Sequence, residues 1–481
     1  MTTAAEWSQH AARASQSGRV DEAIAAWHRA VSIDPRRADD WFNLAYFLRV
    51  SRRFPEASAA YGEALRYGVA RPEEAYVNRA VILSEHLDRP GEAIEALQAA
   101  LAVEPTFLPA LLNLGNLLED HGDSEAARAA YERALAVDPV NGRALARRAA
   151  ILVHTGDVSR AIDQLRPLSA RVSLDPVDHA EINFALGQAL DAAQDYDAAW
   201  IAFTDANRSA AAAMPAATRY DPAAHERYIA ALKRQFPLPV RAEPSERGAS
   251  LFVCGMFRSG STLAEQMLGR HAAITPGGEL DFIPALVAGA LHPYPTTLAR
   301  ADRRALTAVR NAYLDARDQL HPRARLVTDK RPDNFLHLGL ITAIMPDAQV
   351  IHTVRDPRDT ILSVFFQYFD NSVSYSNDLT QIAHWFRNYQ SLMRFWQERL
   401  SIPIHQVDYD RLVHDPRAEI DAVLTSLGLP WDEQCLAPER ANNLVRTASV
   451  WQVRASLHTR SSKRWQNYAR HLAPLEDLLP V

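Results

Sequence analysis

An all-α helical-repeat solenoid followed by an α/β domain with a parallel sheet is the fold class this sequence predicts. Small and apolar residues recur at a period of about 34 over residues 1–208. From residue 250 onward, short apolar runs alternate with helical stretches. Two of those runs, 251–255 and 350–354, each lead through a turn into a helix, and that is where open parallel sheets bind ligands. At 481 residues the chain exceeds one ordinary core, so separate domains are expected.

The repeat register is explicit. Leu111, Leu114, Gly115, Leu118, Ala127, Tyr131, Ala134 and Pro139 form a complete tetratricopeptide repeat (TPR) pattern. Val77, Ala80, Ala93, Leu97, Ala100 and Pro105 mark the unit before it. Ala23, Trp27, Ala30 and Pro35 close a first unit, and Trp41, Leu44, Ala57, Tyr61 and Ala64 form a second. Weaker units follow at Leu145, Ala149, Gly156, Ala161 and Leu165, then at Leu186, Gly187, Ala199, Phe203 and Ala206. About six helix pairs are expected, each burying its apolar face only against its neighbours. The array binds a protein or peptide, scaffolds a homodimer, or braces the C-terminal domain; the sequence leaves these readings open.

An Ala-rich stretch, a helix near 222–236 and a Pro- and charge-rich connector at 237–248 separate the repeats from the α/β part. The expected divisions are therefore 1–208, 209–249 and 250–481. Strands are expected at 250–255, 326–328, 348–354 and 404–408, with helices from about 261, over 334–344, over 358–369 and over 379–400.

Composition narrows the function classes. The net charge of −6 gives no field for nucleic acid or an anionic membrane, so any anion site must be locally basic. No apolar run reaches the length of a membrane span, and MTTAAEWSQH has neither a basic start nor an apolar core, so a cytoplasmic location is expected. Cys254 and Cys435 are too few for a disulfide framework, and Cys254 reads as a small buried hydrophobe. Lysine occurs only at 233, 330 and 463 among 52 Lys and Arg, and two of the three lie inside motifs.

Gly255-x4-Gly260-Ser261-Thr262 has the spacing of a nucleotide phosphate loop, with Ser261 where an NTPase needs Lys. Loop N–H groups and a helix start suit a phosphate, but without that lysine ATP or GTP hydrolysis is disfavoured. The basic residue is instead Arg258, inside the loop, and a donor with a single 5′-phosphate is implied. Arg355 and Ser363 stand on the second strand–turn–helix, where one ligand can reach both.

Together these segments resemble the 5′- and 3′-phosphate motifs of sulfotransferases, which use 3′-phosphoadenosine-5′-phosphosulfate (PAPS). The matching pieces GMFRSGSTL, GGEL, TDKRPDNF, VRDPRDTILS, VDYDRLVHDP, TASVWQVR and KRWQNY run from about 250 to 475. The layout resembles bacterial TPR-containing sulfotransferases, whose catalytic domain is similar to that of tyrosylprotein sulfotransferases. This resemblance implies PAPS as donor, adenosine 3′,5′-bisphosphate as product, and no metal.

It further implies Arg258, Glu279, Lys330 and Ser449 as catalytic residues. Glu279 would take the acceptor's proton, and Lys330 would stabilise charge on the bridging oxygen. Arg258, Ser259, Gly260, Ser261 and Thr262 would cradle the 5′-phosphosulfate. Arg355, Ser363 and Tyr409 would contact the nucleotide, with Lys463 or Arg464 capping the 3′-phosphate. Phe257 departs from the family's proline, and Ser261 from its threonine. The acceptor is a protein or peptide tyrosine, a small phenol or a sugar hydroxyl. Two rival readings are a TPR adaptor with a nucleotide-binding but non-catalytic domain, and a phosphate-loop kinase.

Overall fold

The computed structural model describes residues 3–481 except 172, 239, 244, 248, 370, 441–458, 460, 474 and 476–481. The chain divides into two compact units, Met1–Ala170 and Arg171–Val481.

The first unit consists of helices that pack as sequential pairs. These are α1 (Ala4–Gln16) with α2 (Val20–Ile33), α3 (Ala38–Val50) with α4 (Phe54–Arg66), and α5 (Pro72–Glu85) with α6 (Pro90–Val103). They continue as α7 (Leu108–Asp120) with α8 (Ser124–Val137), and α9 (Gly142–His154) with α10 (Val158–Ser169). The repeat positions read from the sequence form the core: Ala23, Trp27, Leu44, Ala57, Tyr61, Ala93, Leu97, Leu111, Ala127, Tyr131, Leu145 and Ala161 are all buried. A β-carbon on Gly115 would lie 2.4 Å from the Tyr131 ring, so only glycine lets α8 seat its aromatic against α7. The Tyr131 hydroxyl then donates to Asn116 Oδ1 at 2.8 Å and Glu119 Oε2 at 2.9 Å, so the phenol is buried with its polar end satisfied.

The second unit opens with one more pair, α11 (Pro176–Ala192) and α12 (Tyr196–Ala213). It repeats the device: a β-carbon on Gly187 would lie 2.7 Å from the Phe203 ring. Here, though, Phe203 also stacks on Phe366 of the α/β part at 3.8 Å, and Asn207 Nδ2 donates to Phe365 O at 2.8 Å. Helix α13 (Pro222–Gln235) follows and packs against the long helix over Leu379–Arg399.

Among the described residues the sheet has five strands: β1 (Ala249–Gly255), β2 (Ile274–Thr275), β3 (Leu326–Lys330), β4 (Gln349–Val354) and β5 (Ile404–Asp408). Their order is β2-β3-β1-β4-β5 and every neighbouring pair is parallel. Strand β1 is central, with Val253 opposite Lys330 on one side and Gly255 opposite Thr353 on the other. The segments that leave β3 and β4 therefore flank the end of β1 at the C-terminal edge of the sheet.

Side-chain alternation explains the layers. Leu251, Val253, Ile351 and Val407 point to one face and pack with α14 (Ser261–Leu268), α20 (Tyr409–His414) and α21 (Pro416–Ser426). The alternate residues meet the other helices: Phe252 lies 5.9 Å from Tyr313 of α16 (Arg303–Leu320), and His352 lies 5.7 Å from Tyr389 of α19 (Leu379–Arg399). Each such leucine or isoleucine, fully buried, contributes about 1.5–3 kcal/mol. Four strands match the expected positions. Helix α17 (Leu338–Ile344) falls within an expected helix, whereas strand β2 and helices α15 (Phe282–Ala288), α16, α20 and α21 are additional: two residues of strand leave no alternation to read, and α16 lies in an Arg-rich stretch.

Candidate active site

Two clusters occupy the C-terminal edge of the sheet. The first is built on β3. Gly277 N donates to Thr328 Oγ1 at 2.9 Å, and Lys330 N donates to Gly278 O at 2.9 Å, so the Gly-Gly-Glu loop is laced to the strand. A β-carbon on Gly277 would lie 2.1 Å from Thr328 O, which is why glycine is required there. The following residue, Glu279, is thereby held at the strand end, and Lys330 Nζ donates to its Oε1 at 2.7 Å. The lysine side chain is 1% exposed and the glutamate 37%, so the pair has a buried cation and an accessible carboxylate.

Glu265 of α14 completes this corner, although no motif singles it out. It accepts from Gly278 N at 3.0 Å and from Thr328 Oγ1 at 2.5 Å, and it is 2% exposed. Burial pushes its carboxyl above the usual range, while Lys330 and the two donors pull it part of the way back.

The second cluster joins the loop after β1 to the end of β4 and helix α18 (Pro357–Phe365). Arg258 has φ 71°, and from that left-handed position its Nε donates to Ser363 Oγ at 3.1 Å. Arg355 Nη1 donates to Arg258 O at 3.3 Å, and its guanidinium lies 4.7 Å over the Tyr409 ring. Gly260, at φ 99°, lies against the same ring: a β-carbon there would be 2.5 Å from Tyr409 Cδ2. Burial, then the like charge of Arg355 and of Arg464, pulls the Arg258 guanidinium down to about 10, with Tyr409 opposing. Arg355 Nε is buried with no hydrogen-bond partner among the described residues. Clustered arginines of one sign with an unmet donor suit an anion.

The sequence-predicted residues divide clearly. Glu279 meets Lys330, and Arg258, Ser363, Arg355, Gly260 and Tyr409 converge. Ser261 and Thr262 are buried in the first turn of α14. The Ser259 hydroxyl is committed to the loop itself, bonded to Met256 O and Thr353 Oγ1, both at 2.7 Å. Lys463 also has a left-handed φ, of 60°, with an exposed side chain, while Arg464 pairs with Asp191 at 2.7 Å. Asp356 caps α18 and binds Arg358, and Asp359 Oδ2 is 4.0 Å from Arg355. Phe257 meets Phe369 edge-on at 5.7 Å. Ser449 lies outside the described residues. Among those described, no group of three His, Cys, Asp or Glu is arranged to hold a metal ion, and no helix is long and apolar enough to cross a membrane.

Comparison with known proteins bears on this edge directly: residues 250–433 match the sulfotransferase family. Residues 9–57, 48–106 and 112–167 match the tetratricopeptide repeat. An uncharacterized protein of Aquifex aeolicus (strain VF5) is 30% identical over 433 residues, which is 84% of this chain and 54% of that protein. Protein-tyrosine sulfotransferase 1 of Danio rerio is 27% identical over 226 residues, 43% of this chain and 60% of its own. The match thus spans little more than half the length of either relative. The solved sulfotransferase domain from the Synechococcus PCC 7002 olefin synthase is 21% identical, with a TM-score of 0.36, covering 47% of this chain and 90% of that one. Both clusters fall on or beside the matched region, and every residue of the Glu279–Lys330 corner lies within it.

Proposed function

We propose that this chain moves the sulfuryl group of PAPS to a hydroxyl acceptor and leaves adenosine 3′,5′-bisphosphate. One observation carries the reading: a Lys–Glu pair and an arginine cluster of one sign open at the same edge of a parallel sheet, flanking β1. PAPS supplies the activated sulfur–oxygen bond; the protein supplies position, charge and a base.

In this reading Arg355 and Ser363, with Lys463, hold the 3′-phosphate. The loop amides and the first turn of α14, with Ser261 and Thr262, hold the 5′ end. Ser259 fixes the loop from beneath. Arg258 adds positive charge between the two ends. Glu279, the more exposed partner of its pair, takes the proton of the acceptor hydroxyl at a carboxylate oxygen. Lys330 Nζ, 2.7 Å from Glu279, would stabilise charge growing on the bridging oxygen. Ser449 remains assigned as a further donor to the transferring group.

The acceptor class is a hydroxyl on a protein or peptide, with tyrosine first. Its support is the repeat array, a common protein-binding scaffold, and the name of the Danio rerio relative. Calorimetric titration with adenosine 3′,5′-bisphosphate, 5′-AMP and ATP tests the donor half. Preference for the bisphosphate is the expected result; equal binding of all three would overturn it. Sulfate transfer from PAPS to tyrosine peptides, against simple phenols, then tests the acceptor half.

A further inference from the structure

The helix pair α11–α12 looks like another repeat in sequence, yet its side chains reach toward the nucleotide end of the sulfotransferase domain. Asp191 is the focus. Its Oδ1 accepts from Tyr468 Oη at 2.5 Å and from Arg464 Nε at 3.2 Å, and its Oδ2 lies 2.7 Å from Arg464 Nη2. Aromatic contacts reinforce the joint: Tyr468 lies 4.8 Å from Phe366 and 5.4 Å from Tyr196, and Trp200 stacks on His471 at 4.4 Å.

The segment this joint anchors is 461–465, held from its other side by the 3′ end of the proposed site. Asp359, buried on α18, accepts from Lys463 N at 2.7 Å and from Trp465 N at 2.8 Å. Arg355 Nη2 donates to Ser461 O. Arg358 lies 3.5 Å over the Trp465 ring. The strap is therefore pinned at its backbone by Asp359 and Arg355, and at its far end by Asp191. Between them the turn at Lys463 leaves that side chain exposed.

We infer that Asp191 is a positioning residue for the 3′-phosphate end of the site, acting through Arg464 and Tyr468 on the strap that carries Lys463. The inference rests on the donor reading above. Charge supplies the reason. Arg464 stands close enough to depress Arg258, so without a carboxylate partner it would be repelled by the arginines of the site. Asp191 balances Arg464 and fixes it over the Phe366 ring, at 5.2 Å. The strap then meets Arg355 in one position instead of many, and ordering it in advance favours ligand affinity. The last repeat pair is on this view a wall of the donor site.

The full chain and its Asp191→Asn, Asp191→Glu and Arg464→Met variants would be titrated with adenosine 3′,5′-bisphosphate and with 5′-AMP. Asp191→Asn is expected to weaken the bisphosphate roughly tenfold and leave 5′-AMP unchanged, with Asp191→Glu restoring most of the loss. In the Arg464→Met background, Asp191→Asn should have little further effect. Unchanged bisphosphate affinity in Asp191→Asn, or an equal loss for both nucleotides, overturns the positioning role. If Asp191→Asn fails to fold, Arg464→Met alone must show the selective loss, and its absence overturns the role as well. A wild-type chain that does not prefer the bisphosphate overturns the donor reading itself, and that result comes before any variant is compared.

Discussion

The two clusters at the sheet edge are opposites. At the end of β3, Lys330 and Glu279 neutralise each other across 2.7 Å, so that corner is electrostatically complete on its own. Beside β4, Arg258 and Arg355 lie together, and the Asp359 carboxylate is 4.0 Å from Arg355. A matched pair can exchange a partner for a developing charge; a same-sign pair of guanidiniums gains balance from an anionic ligand. The difference teaches a division of labour. On the proposed function, the β3 corner would serve the chemical step and the β4 cluster would serve binding.

The largest expected effect probes the first half of that division. Glu279→Gln and Lys330→Ala should each lower kcat by about 10²–10⁴, with calorimetric affinity for adenosine 3′,5′-bisphosphate nearly unchanged. A comparable loss of affinity in either variant would break the comparison. Next in size, Arg355→Ala should weaken the bisphosphate by about 10–100-fold while 5′-AMP binding and saturated kcat change little. A fall in kcat without a change in affinity would assign Arg355 to the chemistry.

The last effect is on stability, not on rate or affinity, and concerns pH and the floor of the β4 cluster. His352, with Ser259 and Arg355, lines a cavity of about 200 Å³ against α19. Burial lowers its pKa from 6.5 to about 4, so the folded state favours the neutral ring. That contribution is complete above pH 6.5 and is lost as pH falls toward 4, to a total of roughly 3 kcal/mol. Melting temperature followed between pH 7 and 4 should fall, and His352→Gln should flatten the slope. An unchanged slope would mean that the ring charges freely in the fold and adds its charge beside Arg355 without cost.

Much of this was legible in the chain. The repeat positions announce their packing because each obeys a local period, although the partner of Tyr131 is Gly115 of its own helix pair. Glu279, Lys330 and Arg355 are readable because they stand near strand ends beside glycine- or proline-marked turns, and Ser363 because it stands on the helix that follows such a turn. Glu265 was not, since a glutamate inside a short helix carries the same letters whether solvated or buried, and its partner Thr328 is 63 residues away. Asp191 was hidden for the same reason, its partner Arg464 being 273 residues distant. Ser259 matched the loop pattern, yet its hydroxyl is spent on the backbone of its own turn and on Thr353. The repeat code specifies how α11 and α12 pair, but not that Phe203 continues onto Phe366. Period describes what a segment does to itself; long-range polar partners obey no period.

Gly277 has a consequence for ancestry. A backbone carbonyl 2.1 Å from where a β-carbon would sit cannot move aside as a flexible side chain would. The loop that carries Glu279 is therefore closed to drift at that point, whatever acceptor the sheet edge serves. Descendants of this scaffold that turn to new acceptors have to rebuild the surrounding walls and inherit this corner intact.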